Sequence, residues 1–250
     1  TNLKLSQATS AGYDTIPAEE LEKKGVIFCN ARDVYSNQIA EFAVMRLLEI
    51  YKKAPMYYRQ QEEHKWIRDF KLQEITDKKV GILGTGSIGM QIAKRLKAFD
   101  AVTIGFNRSG NSAEYFDKIY KIDAFEGMAG ELDVIIVALP LNSGSEYIIN
   151  RNILEKMHSK SVLINIGRGM SVDTEALADV LEKGGIMGAA LDVFEQEPLP
   201  EDSRLWGLEN LLISPHICSG SNYMNKRVYD LVYDNLKAFG ENGKLINRIV

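Results

Sequence analysis

A length of 250 residues is more than one domain usually needs and leads us to expect two. Hydrophobic residues make up 45% and charged residues 26%, an ordinary globular balance, and no apolar run approaches the roughly 18 residues that a helical bilayer crossing requires. A net charge of -4 and a pI near 5.6 exclude a basic field for nucleic acid, so a small-molecule ligand is expected.

The N-terminal part reads as a strand "LKLSQAT" (3–9), a turn "SAGYD" (10–14), a short helix around "PAEELEKK" (17–24) and a strand "GVIFC" (25–29). A long helix is then expected from about Asn37 to Tyr58. Its stripe of Ile39, Phe42, Ala43, Val44, Leu47, Leu48, Ile50 and Tyr51 is wide enough to face both a core and another helix or subunit. Two strands and a helix cannot close a sheet core. Residues 1–50 are therefore expected to be part of a domain, with further sequence before Thr1 and the amphipathic segment 225–243 returning to pack on it.

From residue 79 onward the pattern changes. Short apolar runs at 79–83, 102–106, 132–139, 161–166, 186–191 and 210–214 alternate with helical stretches at 87–98, 150–157 and 173–183. Asp173 opens the last of these helices, Glu175 lies in its first turn and Gly184 closes it. The alternation signals a doubly wound α/β domain with a parallel sheet.

The first run leads into "GILGTGSIG" (81–89) and opens a helix, which is the context a dinucleotide fingerprint requires. Gly84 would permit the tight turn, Gly86 the close approach of a pyrophosphate and Gly89 the packing of helix on strand. The amides of Ser87 and Ile88 would face the phosphates at the positive end of the helix. An acid for the ribose 2′-OH is expected at the end of the next strand, and the chain has Asn107, Arg108 and Ser109 there. With no carboxylate to repel a 2′-phosphate, a guanidinium to pair with it and neutral donors on either side, NADP is favoured and NAD remains possible.

Ligands of open parallel sheets gather at the carboxyl edge of the strands. Past the successive runs come the glycine loop, Asn107 and Arg108, Pro140, Gly167 and Arg168, Asp192, and Pro215 and His216. The stretches "LPLNSGS" (139–145), "LINIGRGMSVDTEAL" (163–177), "GAALDVFEQEPLP" (188–200) and "ISPHICSGS" (213–221) resemble, in that order, the signatures of the D-isomer-specific 2-hydroxyacid dehydrogenases. The likeness runs through essentially the whole chain, "SAGYDTIP" and "NQIAEFAVMRLL" included.

The resemblance implies an oxidoreductase that reversibly reduces a 2-oxo acid to a D-2-hydroxy acid with NAD(P)H. Its fold would be a Rossmann dinucleotide domain, here 51–220, inserted into a smaller flavodoxin-like α/β substrate domain, here 1–50 and 221–250, with the N-terminal part of the latter missing. It implies a homodimer. Arg168, Glu197 and His216 match the family's catalytic arginine, glutamate and histidine.

Physical chemistry suits those roles. Arg168 can bind the carboxylate through its fork and polarise the neighbouring carbonyl. His216 can donate the proton to the developing alkoxide. Glu197 would orient the imidazolium and favour its charged form.

The resemblance also places backbone amides near Ala11 and Gly12 on the substrate carboxylate. Asp192 would meet the nicotinamide carboxamide, while Pro140, Ser145, Ile166, Gly167, Cys218 and Ser219 would lie along the cofactor. Cys29 and Cys218 lack CxxC spacing and histidine neighbours, which points to reduced thiols in a cytoplasmic protein and to no metal site. His64 and His158 read as solvated. The alternatives are a dinucleotide-sensing binding protein resembling the family's corepressors and, among enzymes, oxidation of a substrate such as formate.

Overall fold

The computed structural model describes residues 2–14, 16–241 and 243–250. The chain divides into two compact units, Thr1–Gln38 with Ser219–Val250, and Ile39–Cys218. The first unit opens with β1 (Leu5–Gln7), α1 (Ala18–Lys23) and β2 (Ile27–Cys29), the two strands paired in parallel. α2 (Ser36–Tyr51) then carries the chain from the first unit into the second.

The second unit continues through α3 (Ala54–Glu62), β3 (Lys79–Leu83), α4 (Ser87–Lys97), β4 (Val102–Asn107) and β5 (Lys118–Lys121). After these come α5 (Phe125–Met128), β6 (Val134–Val137), α6 (Arg151–Lys156), β7 (Val162–Asn165), α7 (Thr174–Glu182), β8 (Gly188–Leu191) and β9 (Leu211–Ile213). α8 (Met224–Gly240) lies in the first unit.

Strands β3 to β9 form one seven-stranded parallel sheet in the order β5-β4-β3-β6-β7-β8-β9. The order reverses between β3 and β6, and that switch point is where a crevice opens beyond the carboxyl ends of an open sheet. Every residue of β6 is fully buried, so this strand is covered on both faces, which is why its sequence is an unbroken apolar run. Each such aliphatic side chain contributes about 1.5–3 kcal/mol by leaving water. Phe106 closes one end of the core, its ring 5.3 Å from Phe125 edge-on and 6.1 Å from Tyr120 in a stack.

The helices follow their local signals. α4 buries Gly89, Ile92, Ala93 and Leu96, the spacing of one helical face, and carries Lys94, Arg95 and Lys97 in its last turn, where the helix dipole favours cations. Asn150 caps α6 by accepting from the amide of Ile153, and Asp173 caps α7 by accepting from that of Ala176.

One expectation is corrected. The long helix expected over 37–58 is two helices, because Pro55 lacks an N–H and its ring would strike the carbonyl of Tyr51, so the chain turns through a left-handed Lys53 (φ 55°) and restarts. The units divide at 38/39, whereas the sequence pattern puts the first crossing near 50. The physical reason is that the apolar stripe of α2 serves the second unit: a Cβ added at Gly188 of β8 would lie 3.4 Å from the Ile50 side chain. Strand β5 has no counterpart in the sequence reading, since a four-residue edge strand with a lysine at each end has no apolar run. Among the described residues no helix is long and apolar enough to cross a membrane.

Candidate active site

The turn between β3 and α4 is built on glycine. Gly84 has φ 102°, and a Cβ there would lie 2.7 Å from the carbonyl oxygen of Ala138, just past β6. Gly89 lets α4 cross the loop at backbone contact, because a Cβ on it would lie 1.9 Å from the Gly84 oxygen. At Gly86, the N-cap of α4, an added Cβ would meet nothing within 4 Å. The space beside the Gly86 backbone, at the start of α4 where the first-turn amides are not used within the helix, is therefore open.

At the end of β4 the Asn107 side chain is committed to the protein itself. Its NH₂ donates to Thr85 Oγ1 (2.8 Å) and to the Asn111 carbonyl (3.0 Å), while its Oδ1 accepts from the Gly110 amide (2.6 Å) and from Ser109 Oγ (3.3 Å). One of its hydrogens closes the local 107–111 turn, and the other ties that turn to Thr85 of the glycine loop. Arg108, next to it, is exposed and has no hydrogen-bond or ion-pair partner among the described residues.

Past β6, Ser145 is 2% exposed, and its hydroxyl donates to the carbonyls of Pro140 (2.7 Å) and Asn142 (3.2 Å) and accepts from the Asn142 amide (2.9 Å). It shapes the 140–145 loop from within. Past β7, the buried Asn165 accepts from the Gly167 amide (3.0 Å) and donates to the Arg168 carbonyl (2.9 Å), so one side chain fixes the turn that presents Arg168. Ile166 is buried and donates its amide to the Val137 carbonyl of the neighbouring strand. The Arg168 guanidinium donates to the Gly167 carbonyl at 2.8 Å.

Past β8 and β9 two loops interlock. Asp192, 1% exposed, accepts from Ser214 Oγ (2.6 Å) and the Ile217 amide (3.0 Å) on Oδ1, and from the Cys218 amide (2.9 Å) on Oδ2. These bonds turn the Asp192 carboxylate inward onto the 214–218 loop. Burial, with the Asp192 carboxylate beside it, pushes the Cys218 thiol well above its ordinary value and keeps it neutral. His216 stands out from this loop with φ 50°, and its Nδ1 lies 2.8 Å from Glu197 Oε2. Glu197 is itself held, since its Oε1 accepts from the Phe194 amide at 3.0 Å.

Arg168, Asp192 and His216 thus follow the adjacent strands β7, β8 and β9 on one edge. At about 4.8 Å per strand, the strands that lead to Arg168 and His216 run roughly 10 Å apart. Ala11, Gly12 and Ser219 belong to the other unit. There the carbonyls of Ala11 and Gly12 accept from Asn30 Nδ2 and Ser10 Oγ, both at 2.7 Å, and the Ser219 carbonyl accepts from Gln38 Nε2 at 3.2 Å.

The sequence model of the family described as D-isomer specific 2-hydroxyacid dehydrogenase, NAD binding domain, matches residues 44–218. This chain belongs to that family. A hydroxyphenylpyruvate reductase from Plectranthus scutellarioides is 35% identical over 254 residues, which cover 99% of this chain and 79% of the relative. A solved D-isomer specific 2-hydroxyacid dehydrogenase family protein from Aeromonas salmonicida has a TM-score of 0.88 at 31% identity, over 99% of this chain and 79% of that one. An NADPH-dependent glyoxylate/hydroxypyruvate reductase from Sinorhizobium meliloti, solved with NADP and sulfate, has a TM-score of 0.84 at 28% identity, over 99% of this chain and 78% of that one.

As a D-2-hydroxyacid dehydrogenase the chain is an oxidoreductase with a dinucleotide-binding domain. Among the described residues of this dehydrogenase, no group of three or more His, Cys, Asp or Glu is arranged to hold a metal ion. Sequence reasoning missed Thr85, Asn165 and Ser214, and it missed that Asp192 organises a loop. Each is a short polar residue at a strand end or turn, a position where side chains bond to nearby backbone, and that is the one signal that could have found them.

Proposed function

We propose that this dehydrogenase reduces a small 2-oxo acid to the D-2-hydroxy acid, with NADPH as the preferred cofactor, and that Arg168, Glu197 and His216 do the work on the substrate. The observation that carries the reading is the 2.8 Å pair of His216 Nδ1 and Glu197 Oε2, two strands along the same edge from Arg168.

Gly84, Gly86, Gly89 and the first-turn amides of α4 would hold the diphosphate, and Arg108 with Ser109 the 2′-phosphate. The bound cofactor supplies the hydride. Arg168 holds the substrate carboxylate by paired N–H bonds and draws charge toward the carbonyl oxygen. With Nδ1 committed to Glu197, Nε2 of His216 is the nitrogen that gives its proton to that oxygen. The His216 side chain is 51% exposed, so the ring regains a proton from water without a relay.

Support for NADPH is the absence of a carboxylate at 107–109 and the exposed Arg108, together with the bound NADP of the Sinorhizobium meliloti relative. We further place the protein in the cytoplasm, where its two free thiols would persist, and read it as a homodimer. The support for the homodimer is a cluster of large exposed apolar side chains, Trp66 at 87% and Phe70 at 85%. The test is NADPH and NADH oxidation with a panel of 2-oxo acids, glyoxylate and hydroxypyruvate first. Turnover that favours NADPH supports the reading. NADPH binding with no turnover of any acid would favour a sensor.

A further inference from the structure

We infer that Asp192 is a positioning residue that folds the loop after β9 and so fixes His216 where it meets Glu197. The inference rests on the reading of His216 as the proton donor. A left-handed backbone is uncommon for residues other than glycine, and His216 holds one at φ 50°. Its surroundings explain how. The His216 amide donates to the Asp192 carbonyl at 2.8 Å, and the next two amides, of Ile217 and Cys218, donate to the Asp192 carboxylate at 3.0 and 2.9 Å. The Ser214 hydroxyl adds a fourth bond at 2.6 Å.

Two successive amides, those of Ile217 and Cys218, converge on the Asp192 carboxylate in a tight turn, and the left-handed residue of that turn is His216. A carboxylate makes such bonds short and strong, and its burial keeps water from replacing them. The loop is therefore wound on Asp192, and the imidazole is directed outward to Glu197. Asparagine would not substitute. It offers one acceptor oxygen where two are used and sets an NH₂ against an amide hydrogen.

The test is a double-mutant cycle on the full chain with Asp192→Asn and His216→Ala, reading kcat at saturating NADPH and 2-oxo acid and the NADPH dissociation constant by fluorescence. Asp192→Asn is expected to lower kcat about 10- to 100-fold, to add less than about threefold in the His216→Ala background, and to leave NADPH affinity within about threefold. Losses that multiply in the double variant, or an NADPH affinity that falls in step with kcat, would overturn the inference and make Asp192 a cofactor contact.

Ser214→Ala removes a single bond and covers the case in which Asp192→Asn does not fold. A loss of a few-fold in kcat, absent in the His216→Ala background, is expected of it, and an unchanged kcat would count against the inference. The amide proton signals of Ile217 and Cys218 judge the loop without turnover. They should move upfield in Asp192→Asn, and unmoved signals would overturn the inference even if the wild type reduces every acid tried. A wild type that reduces none, with the amide signals responding as expected, would instead sink the proton-donor reading.

Discussion

Nδ1 of His216 and Oε2 of Glu197 lie 2.8 Å apart and join the loop after β9 to the loop after β8. Because Glu197 is also fixed by the Phe194 amide, the carboxylate is a rigid stop against which the imidazole is oriented. Glu197→Gln keeps the size and the bond to Phe194 but removes the charge facing the ring. We expect kcat at neutral pH to fall about 10- to 100-fold with little change in NADPH affinity, as steady-state kinetics and cofactor titration would read. A loss confined to KM for the oxo acid would instead make Glu197 a substrate contact.

Arg108 should decide between the two cofactors. A charge-assisted bond of about 1.5–3 kcal/mol corresponds to roughly 10- to 100-fold in affinity. Arg108→Ala should therefore raise the NADPH KM by that factor and leave the NADH KM nearly unchanged. Asn107→Asp should also erode the NADPH preference, but by a second route, since it removes the donor that holds Thr85 as well as adding a charge. A wild type that prefers NADH would end this part of the account.

Two glycines near the site should behave differently. At Gly169 an added Cβ would lie 1.9 Å from the Phe194 carbonyl group, backbone against backbone, whereas at Gly86 it would meet nothing within 4 Å. Gly169→Ala is expected to destabilise by about 1–3 kcal/mol or more, visible in chemical denaturation. Gly86→Ala should leave stability nearly unchanged and weaken dinucleotide binding.

Acid should weaken the β4 side of the sheet. Burial raises the Asp117 carboxyl, but Lys97 Nζ at 2.8 Å and the Thr103 amide and hydroxyl at 2.8 and 3.0 Å outweigh it and hold the group below the ordinary aspartate range. A carboxyl depressed in the folded state stabilises above its unfolded value and loses that contribution as pH falls through the folded one. Denaturation midpoints followed into acid should therefore drop more steeply for the wild type than for Asp117→Asn. Parallel curves would refute the assignment.

Much of the second unit is legible in the sequence because its strands are buried on both faces. Val134–Val137 and Val162–Asn165 read as short apolar runs, and the capped helices between them carry Asn150 and Asp173 as start signals. The glycine loop, Arg168 and His216 were also legible, since each follows directly on a β run. The work of Asp192, Asn165 and Thr85 was not. Their partners are backbone groups and side chains of loops, some more than twenty residues away, and such bonds leave no periodic trace in the sequence. The break at Lys53 was missed because the helical residue pattern reads on to Tyr58, past Pro55, although the backbone cannot.

The central claim is that His216 protonates the oxygen of a 2-oxo acid whose carboxylate Arg168 holds. The most direct measurement is single-turnover oxidation of NADPH prebound to the full chain and mixed with glyoxylate or hydroxypyruvate, comparing the wild type with His216→Ala. The account predicts rapid oxidation in the wild type and a loss of about 10²–10⁴-fold in the variant, with NADPH affinity retained in both. Equal rates in the two proteins would contradict it.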